Sequence, residues 1–201
     1  MDLNDFLIEK KISIIEGFTQ QNPWQIDDLK LLCKNAKTIL EIGFNAGHSS
    51  ELFLELNSDT KIVSFDLGFY SCVSAGKEYI DNKFPGRHIL ILGDSTQTIP
   101  KYIQDNPGMK FDFIFIDGGH DYLIASADLL NCKNLANKDT IVAIDDTIFT
   151  CYEWSHFYNK GPSKAWEEGI SNGLVEQLES KDYISGRGMS WGKYINPPLQ
   201  Q

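Results

Sequence analysis

Asp117, Asp145 and Asp146 end two apolar runs, FDFIFID over 111–117 and DTIVAIDD over 139–146. If both runs are buried strands, they deliver carboxylates to one edge of a sheet, and in an open α/β sheet ligands bind beyond the carboxyl ends of the strands. Such a cluster suits a hard divalent cation or a cationic ligand. The same acids would also serve as caps and backbone acceptors at strand ends. His120 follows Asp117 by three residues. An imidazole there can take a hydroxyl proton near neutral pH, or bond the backbone of its loop. Two further acids end apolar runs, Glu41 in KTILEI and Asp66 in KIVSFD. Asp66 is placed to accept from ribose hydroxyls or to cap the following helix. Gly93-Asp94-Ser95 ends another run, and Asp94 or Ser95 would cap a helix there whether or not it also meets a ligand.

Glu41 opens Glu41-Ile42-Gly43-Phe44-Asn45-Ala46-Gly47-His48-Ser49. Gly43 and Gly47 permit a tight strand-to-helix turn and close backbone approach to a ligand, beside the free N–H groups of a helix start. The spacing is GxxxG, and no GK[ST] is present. A phosphate-cradling P-loop is excluded, and a GxGxxG dinucleotide site is disfavoured.

Alternating elements must position these residues. The patterns predict strands at 37–42, 61–66, 88–92, 111–117 and 139–145. Helices are expected at 46–57, 71–83, 95–105, 121–133 and near 162–171. Continuous β-branched runs between helices imply a parallel sheet covered on both faces. LVEQLES (174–180) and MSWGKYI (189–195) read as a closing hairpin-like pair. A helical segment over 1–36 precedes the sheet. It holds Leu3, Leu7, Ile8, Ile12 and Ile15 at helical spacing with Gly17 as a stop, then Asn22-Pro23 as cap and first residue of a helix over 23–35. Ile26, Leu29 and Leu32 share one face of that second helix.

The 201 residues fit one domain. A formal net charge of -10 argues against nucleic-acid phosphates or an anionic membrane surface as partner. No apolar run approaches the roughly 20 residues of a membrane span, and the acidic start is not a secretory signal. Cys33, Cys72, Cys132 and Cys151 are scattered without a CxxC pair, so a reducing, cytoplasmic compartment is expected.

The E-x-G-x-x-x-G turn, the acid ending the second strand, GDS, FDFIFIDGGHDY and IVAIDDT together resemble the class I S-adenosylmethionine-dependent methyltransferases. The nearest likeness is to the small-molecule O-methyltransferase branch of catechol and macrolide-sugar enzymes, over residues 37–195. The resemblance implies a Rossmann-like, mostly parallel sheet with an antiparallel C-terminal strand and helices on both faces. It implies that Glu41, Gly43, Gly47 and Ser49 hold the methionine part of the cofactor. Asp66 would then take the ribose, Asp94 and Ser95 would lie beside adenine, and Asp117 would border the cofactor. In the metal-dependent branch Asp117, Asp145 and Asp146 would hold Mg²⁺. The second member of the final pair is commonly Asn, and here it is Asp146. Where catechol-type relatives carry a general-base Lys, this chain has His120. The implied partners are a small-molecule hydroxyl acceptor, a sugar unit or a phenol, and a second copy in a homodimer.

Residues 147–166 are rich in aromatics: Phe149, Tyr152, Trp154, Phe157, Tyr158 and Trp166. They form either a wall of an acceptor pocket or local core under a long connection. His48 either lines the cofactor pocket or supports its loop, and His88 and His156 carry no signal. Two other functions stay open from the sequence. One is a nucleotide-cofactor oxidoreductase on a related sheet. The other is a non-catalytic cofactor-binding or interaction protein.

Overall fold

The computed structural model describes residues 1–13, 22–148, 157–183 and 186–198. Two helices, α1 (Leu3–Glu9) and α2 (Pro23–Cys33), precede β1 (Thr38–Ile42), α3 (His48–Leu56), β2 (Lys61–Asp66), α4 (Ser71–Lys83) and β3 (His88–Leu92). There follow α5 (Ser95–Asp105), β4 (Phe111–Ile116), α6 (Tyr122–Cys132), β5 (Ala136–Asp145), α7 (Lys160–Ser171), β6 (Val175–Asp182) and β7 (Gly188–Tyr194). The seven strands form one sheet in the order β3-β2-β1-β4-β5-β7-β6. The first five are parallel, and β7 runs antiparallel between β5 and β6.

Alternation along the strands feeds two cores. Ile39, Phe113, Phe115 and Ala143 point to the face covered by α1 to α4, where Leu7, Leu29, Phe53 and Ile80 are buried. Leu40, Ile42, Ile114, Ile116 and Val142 point to the other face, against Ile99 of α5, Leu129 of α6 and Trp166 of α7. Burial on both faces explains why these strands read as unbroken apolar runs.

The expected strands and helices are present, with shifted ends. Helix α1 stops at Glu9, and Lys11 turns the chain with φ 57°. Ile15 and Gly17 lie outside the described residues. Asn22 caps α2 through its side-chain oxygen, 3.4 Å from Gln25 N. Helix α3 starts at His48 because Gly47, at φ 90°, belongs to the turn. Strand β5 begins at Ala136, earlier than expected, because Ala136 pairs with Phe111 across a register shift.

The topology reverses between β1 and β4, the neighbours at the centre of the sheet. A crevice opens at that point in doubly wound folds. Gly43 makes it tight: a Cβ on this residue would lie 1.8 Å from the Asp117 carbonyl oxygen. Asp117 N in turn donates to Ile42 O at 2.8 Å, so the loops leaving β1 and β4 are bound to each other.

Candidate active site

The loops at the carboxyl edge enclose a cavity of about 750 Å³, within the usual range for small-molecule sites. One end is walled by Gly43, Ser49, Asp66, Asp94 and Ser95, and the other by Asp117, His120, Asp146, Tyr158 and Arg187.

Asp66 organises the first end. Its Oδ2 accepts from Phe44 N (3.0 Å) and Asn45 N (2.9 Å), and its Oδ1 accepts from Gly68 N (2.7 Å). The carboxylate therefore stitches the glycine turn to the end of β2 while facing the cavity. It is not the cap of α4, whose N-cap residue is Tyr70. Asp94 is a helix cap: its Oδ1 accepts from Thr96 N at 2.9 Å and Thr96 Oγ1 at 2.7 Å. It lines the cavity as well, so capping and ligand contact are compatible here.

Glu41 is placed differently. It is fully buried on the α3 side of β1, and it is absent from the cavity wall. Ser49 Oγ donates to its Oε1, and Ser50 Oγ and Ser64 Oγ donate to its Oε2, each at 2.6 Å. Ser64 Oγ also lies 2.8 Å from His88 Nε2. Burial pushes the Glu41 carboxyl up to about 7 in spite of these hydroxyls, and burial brings His88 down to about 4. This network carries the glycine turn from below. His88, silent in the sequence, belongs to it. His48 lines the cavity and bonds Asn4 Oδ1 at 2.9 Å, tying α1 to the turn, and burial lowers it to about 4.

At the other end, Asp117 follows β4, Asp145 ends β5, and Asp146 adopts φ 57°. A left-handed aspartate is uncommon and often marks a functional turn. Its Oδ2 lies 2.8 Å from His120 Nε2, and its carbonyl accepts from Asn159 Nδ2 at 2.9 Å. The start of α7 presses on the His120 loop through Gly161, where a Cβ would lie 2.1 Å from His120 O. Burial first, then the charges of Asp145 and Asp146, holds the Asp117 carboxyl well above the usual carboxylate range. Asp145 is raised by burial and by Asp146, against the pull of Arg187. Groups in a cleft that shift one another's pKa values this way are candidates for a functional site.

Two members of this end gave no signal in the sequence. Gln25, from α2, bonds the Asp145 carboxylate. Arg187, from the β6–β7 connection, reaches Asp145 Oδ2 at 3.8 Å and Asp146 Oδ1 at 3.9 Å. Burial works against its charge, but the three aspartates outweigh burial and keep it protonated. Among the described residues, no three acidic, histidine or cysteine side chains are gathered as a ready metal site. The chemistry of the donor set nevertheless suits a hard divalent ion: Asp117, Asp145 and Asp146 stand close enough to raise one another's pKa values, beside a guanidinium whose Nε is buried without a hydrogen-bond partner.

The aromatic segment divides. Tyr158 packs against His120 with the rings tilted by 48° and their centres 5.6 Å apart, and exposed Phe157 stands at the cavity mouth. Of the two places open to Trp166, wall or core, the structure takes the core. The side chain projects from α7 into the core and is fully buried, with its indole N–H donated to Gln177 Oε1 at 2.7 Å. Phe149, Tyr152 and Trp154 lie outside the described residues.

Comparison with known proteins accords with this arrangement. Residues 40–147 match the model of a family described as a methyltransferase domain. The chain belongs to this family. The matched span runs from within β1 through the Asp145–Asp146 pair and so contains the cavity lining except Phe157, Tyr158 and Arg187. A probable caffeoyl-CoA O-methyltransferase from Dictyostelium discoideum is 30% identical over 136 residues, which cover 65% of this chain and 52% of that protein. The chain thus spans about half the length of the curated relative it matches. The fold is shared with the O-methyltransferase from Bacillus cereus in complex with S-adenosylhomocysteine (TM-score 0.74, 18% identity, 95% of this chain and 90% of that one). It is also shared with the O-methyltransferase TomG from Streptomyces achromogenes in complex with S-adenosylmethionine (TM-score 0.73, 17% identity, 96% and 88%). Among the described residues, no helix of this methyltransferase-family chain is long and apolar enough to cross a membrane.

Proposed function

We propose that this protein is an S-adenosylmethionine-dependent O-methyltransferase acting on a small hydroxylated acceptor, a sugar unit or a phenol. The observation that carries the reading is the continuity of the cavity. A single space runs from a glycine turn with a strand-end acid, Gly43 and Asp66, to a histidine–carboxylate pair, His120 and Asp146.

The residues fit the cofactor. Gly43 keeps the turn open where any side chain would strike Asp117. Asp66 has its carboxylate at the cavity wall for ribose hydroxyls, and Asp94 and Ser95 border the space expected for adenine. When bound, S-adenosylmethionine supplies an electrophilic methyl on a cationic sulfur. That methyl would pass to the acceptor oxygen as its bond to sulfur breaks, leaving S-adenosylhomocysteine. The acidic wall of Asp117 and Asp146 favours a cation in the cavity, and donor and acceptor held in one space would be aligned for the transfer.

His120 removes the acceptor's hydroxyl proton. In the tautomer that donates Nε2–H to Asp146, Nδ1 is the basic nitrogen, and the carboxylate stabilises the imidazolium that forms. Asp117, Asp145 and Asp146 are the residues that would hold a divalent ion such as Mg²⁺. Such an ion would orient the hydroxyl and lower its pKa. Phe157 and Tyr158 offer an aromatic surface to the acceptor.

The test is incubation with methyl-labelled S-adenosylmethionine and a panel of sugars, catechols and other phenols, with and without Mg²⁺. The expected product is a labelled methyl ether. Label appearing on amines instead, or on nothing in protein that binds the cofactor, would overturn the O-methylation reading.

A further inference from the structure

Arg187 stands where a cation is needed, yet it is not seated as a permanent partner would be. A guanidinium locked onto carboxylates makes parallel N–H···O bonds of about 2.7–2.9 Å. Here the closest approaches are 3.8 Å to Asp145 and 3.9 Å to Asp146, beyond hydrogen-bond length. Its Nε is buried and makes no hydrogen bond. The backbone beneath it is fixed. Tyr183 N donates to Arg187 O at 2.6 Å. The next residue, Gly188, is pressed so closely on the chain after Asp146 that a Cβ would lie 1.8 Å from Thr147 O. The freedom therefore lies in the long side chain, which borders the cavity and has space beside it.

We propose that Arg187 is the built-in counter-cation of the Asp117–Asp145–Asp146 cluster, and that its guanidinium and a divalent ion are alternative occupants. The inference rests on the metal part of the function proposed above. Without an ion, acids crowded in a largely buried site repel one another, and a nearby guanidinium relieves that repulsion. With an ion drawn to carboxylate oxygens at about 2.0–2.1 Å, those acids are neutralised and the nearby guanidinium is repelled. The side chain then turns into the cavity, toward the space beside Tyr158 where the acceptor would lie. Arg187 thus sets the metal affinity, and its displaced position couples metal entry to the acceptor end.

The experiment is a calorimetric titration of the full chain with Mn²⁺, comparing wild type with Arg187→Met, a neutral side chain of similar length. Circular dichroism and S-adenosylhomocysteine affinity check that the variant is folded. Removing a like charge from the site should tighten Mn²⁺ binding by about tenfold or more. Equal or weaker binding by the variant, with the wild type binding normally, overturns the role of Arg187 and leaves the metal assignment standing. No Mn²⁺ binding by either protein overturns both. Should Arg187→Met fail to fold, the wild type itself decides. In ¹⁵N-labelled protein the Arg187 Nε–H resonance is expected to shift along the Mg²⁺ saturation curve. An unmoved resonance, while the Asp145 and Asp146 amides saturate, contradicts the exchange.

Discussion

Two groups of acids sit at the same edge of the same sheet and are treated in opposite ways. Glu41 is met by three serine hydroxyls at hydrogen-bond distance and has no place on the cavity wall. Asp117 and Asp146 line the cavity with Asp145 behind them, and the three raise one another's pKa values. Asp146 is met by His120, Asp145 by Gln25 and the Asp146 N–H, and both by a guanidinium that stays at 3.8–3.9 Å. Neutral donors satisfy a buried carboxyl without the help of a ligand. Clustered like charges beside a cavity leave an electrostatic demand that a ligand can answer. Position at a strand end does not separate a structural acid from a functional one. The partners do.

The largest effect that would sharpen this contrast is expected at the charged end. His120→Ala should lower kcat by about 10²–10⁴ while S-adenosylhomocysteine affinity stays near wild type, as measured by turnover and calorimetry side by side. Unchanged kcat would move His120 to a purely structural place in its loop. Next comes the junction of the two regions. Asp66→Ala removes the acceptor of three backbone N–H groups together with the proposed ribose contact. Cofactor affinity should fall by tenfold or more, since bonds to charged groups contribute about 1.5–3 kcal/mol. A calorimetric Kd equal to wild type would break the assignment.

At the structural end, Ser64→Ala should cost about 1–3 kcal/mol of stability, because it strips one hydroxyl from a buried carboxyl, with little change in the cofactor Kd. Denaturant unfolding measures the first and calorimetry the second. The pH dependence carries the same signature. The Glu41 carboxyl is raised from 4.5 to about 7 in the folded protein, so the folded state holds its proton where the unfolded state has lost it. The Glu41 contribution to stability should therefore fall as pH rises from about 4.5 to 7, then level off. A Glu41→Gln variant should lose that slope. The smallest effect is expected from Asp94→Ala. Loss of the α5 cap should cost about 1 kcal/mol, with a loss of affinity only to the extent that Asp94 also meets the cofactor.

The same contrast explains what the sequence could and could not show. Parallel strands buried on both faces produce runs such as FDFIFI, and Gly43 announces a turn with no space for a side chain. The sheet and its acidic edge were therefore legible. Partners contributed across the fold were not. Ser64 and His88 lie 23 and 47 residues beyond Glu41 with no pattern linking them to it, and only the pairing of β1, β2 and β3 brings the three together. Gln25 and Arg187 arrive from a preceding helix and a late hairpin, and a single Arg between two glycines has no periodicity to reveal its target. Aromatic density marks a core as readily as a pocket, so the sequence left both places open for Trp166, and burial decides for the core.

The central claim is that the cavity binds the methyl donor, and its most direct test is calorimetric titration of the folded protein with S-adenosylhomocysteine, with Asp66→Ala as control. Saturable one-to-one binding, weakened in the variant, is the predicted result. No binding by competently folded wild type would contradict the account and return the cavity to the oxidoreductase or interaction readings.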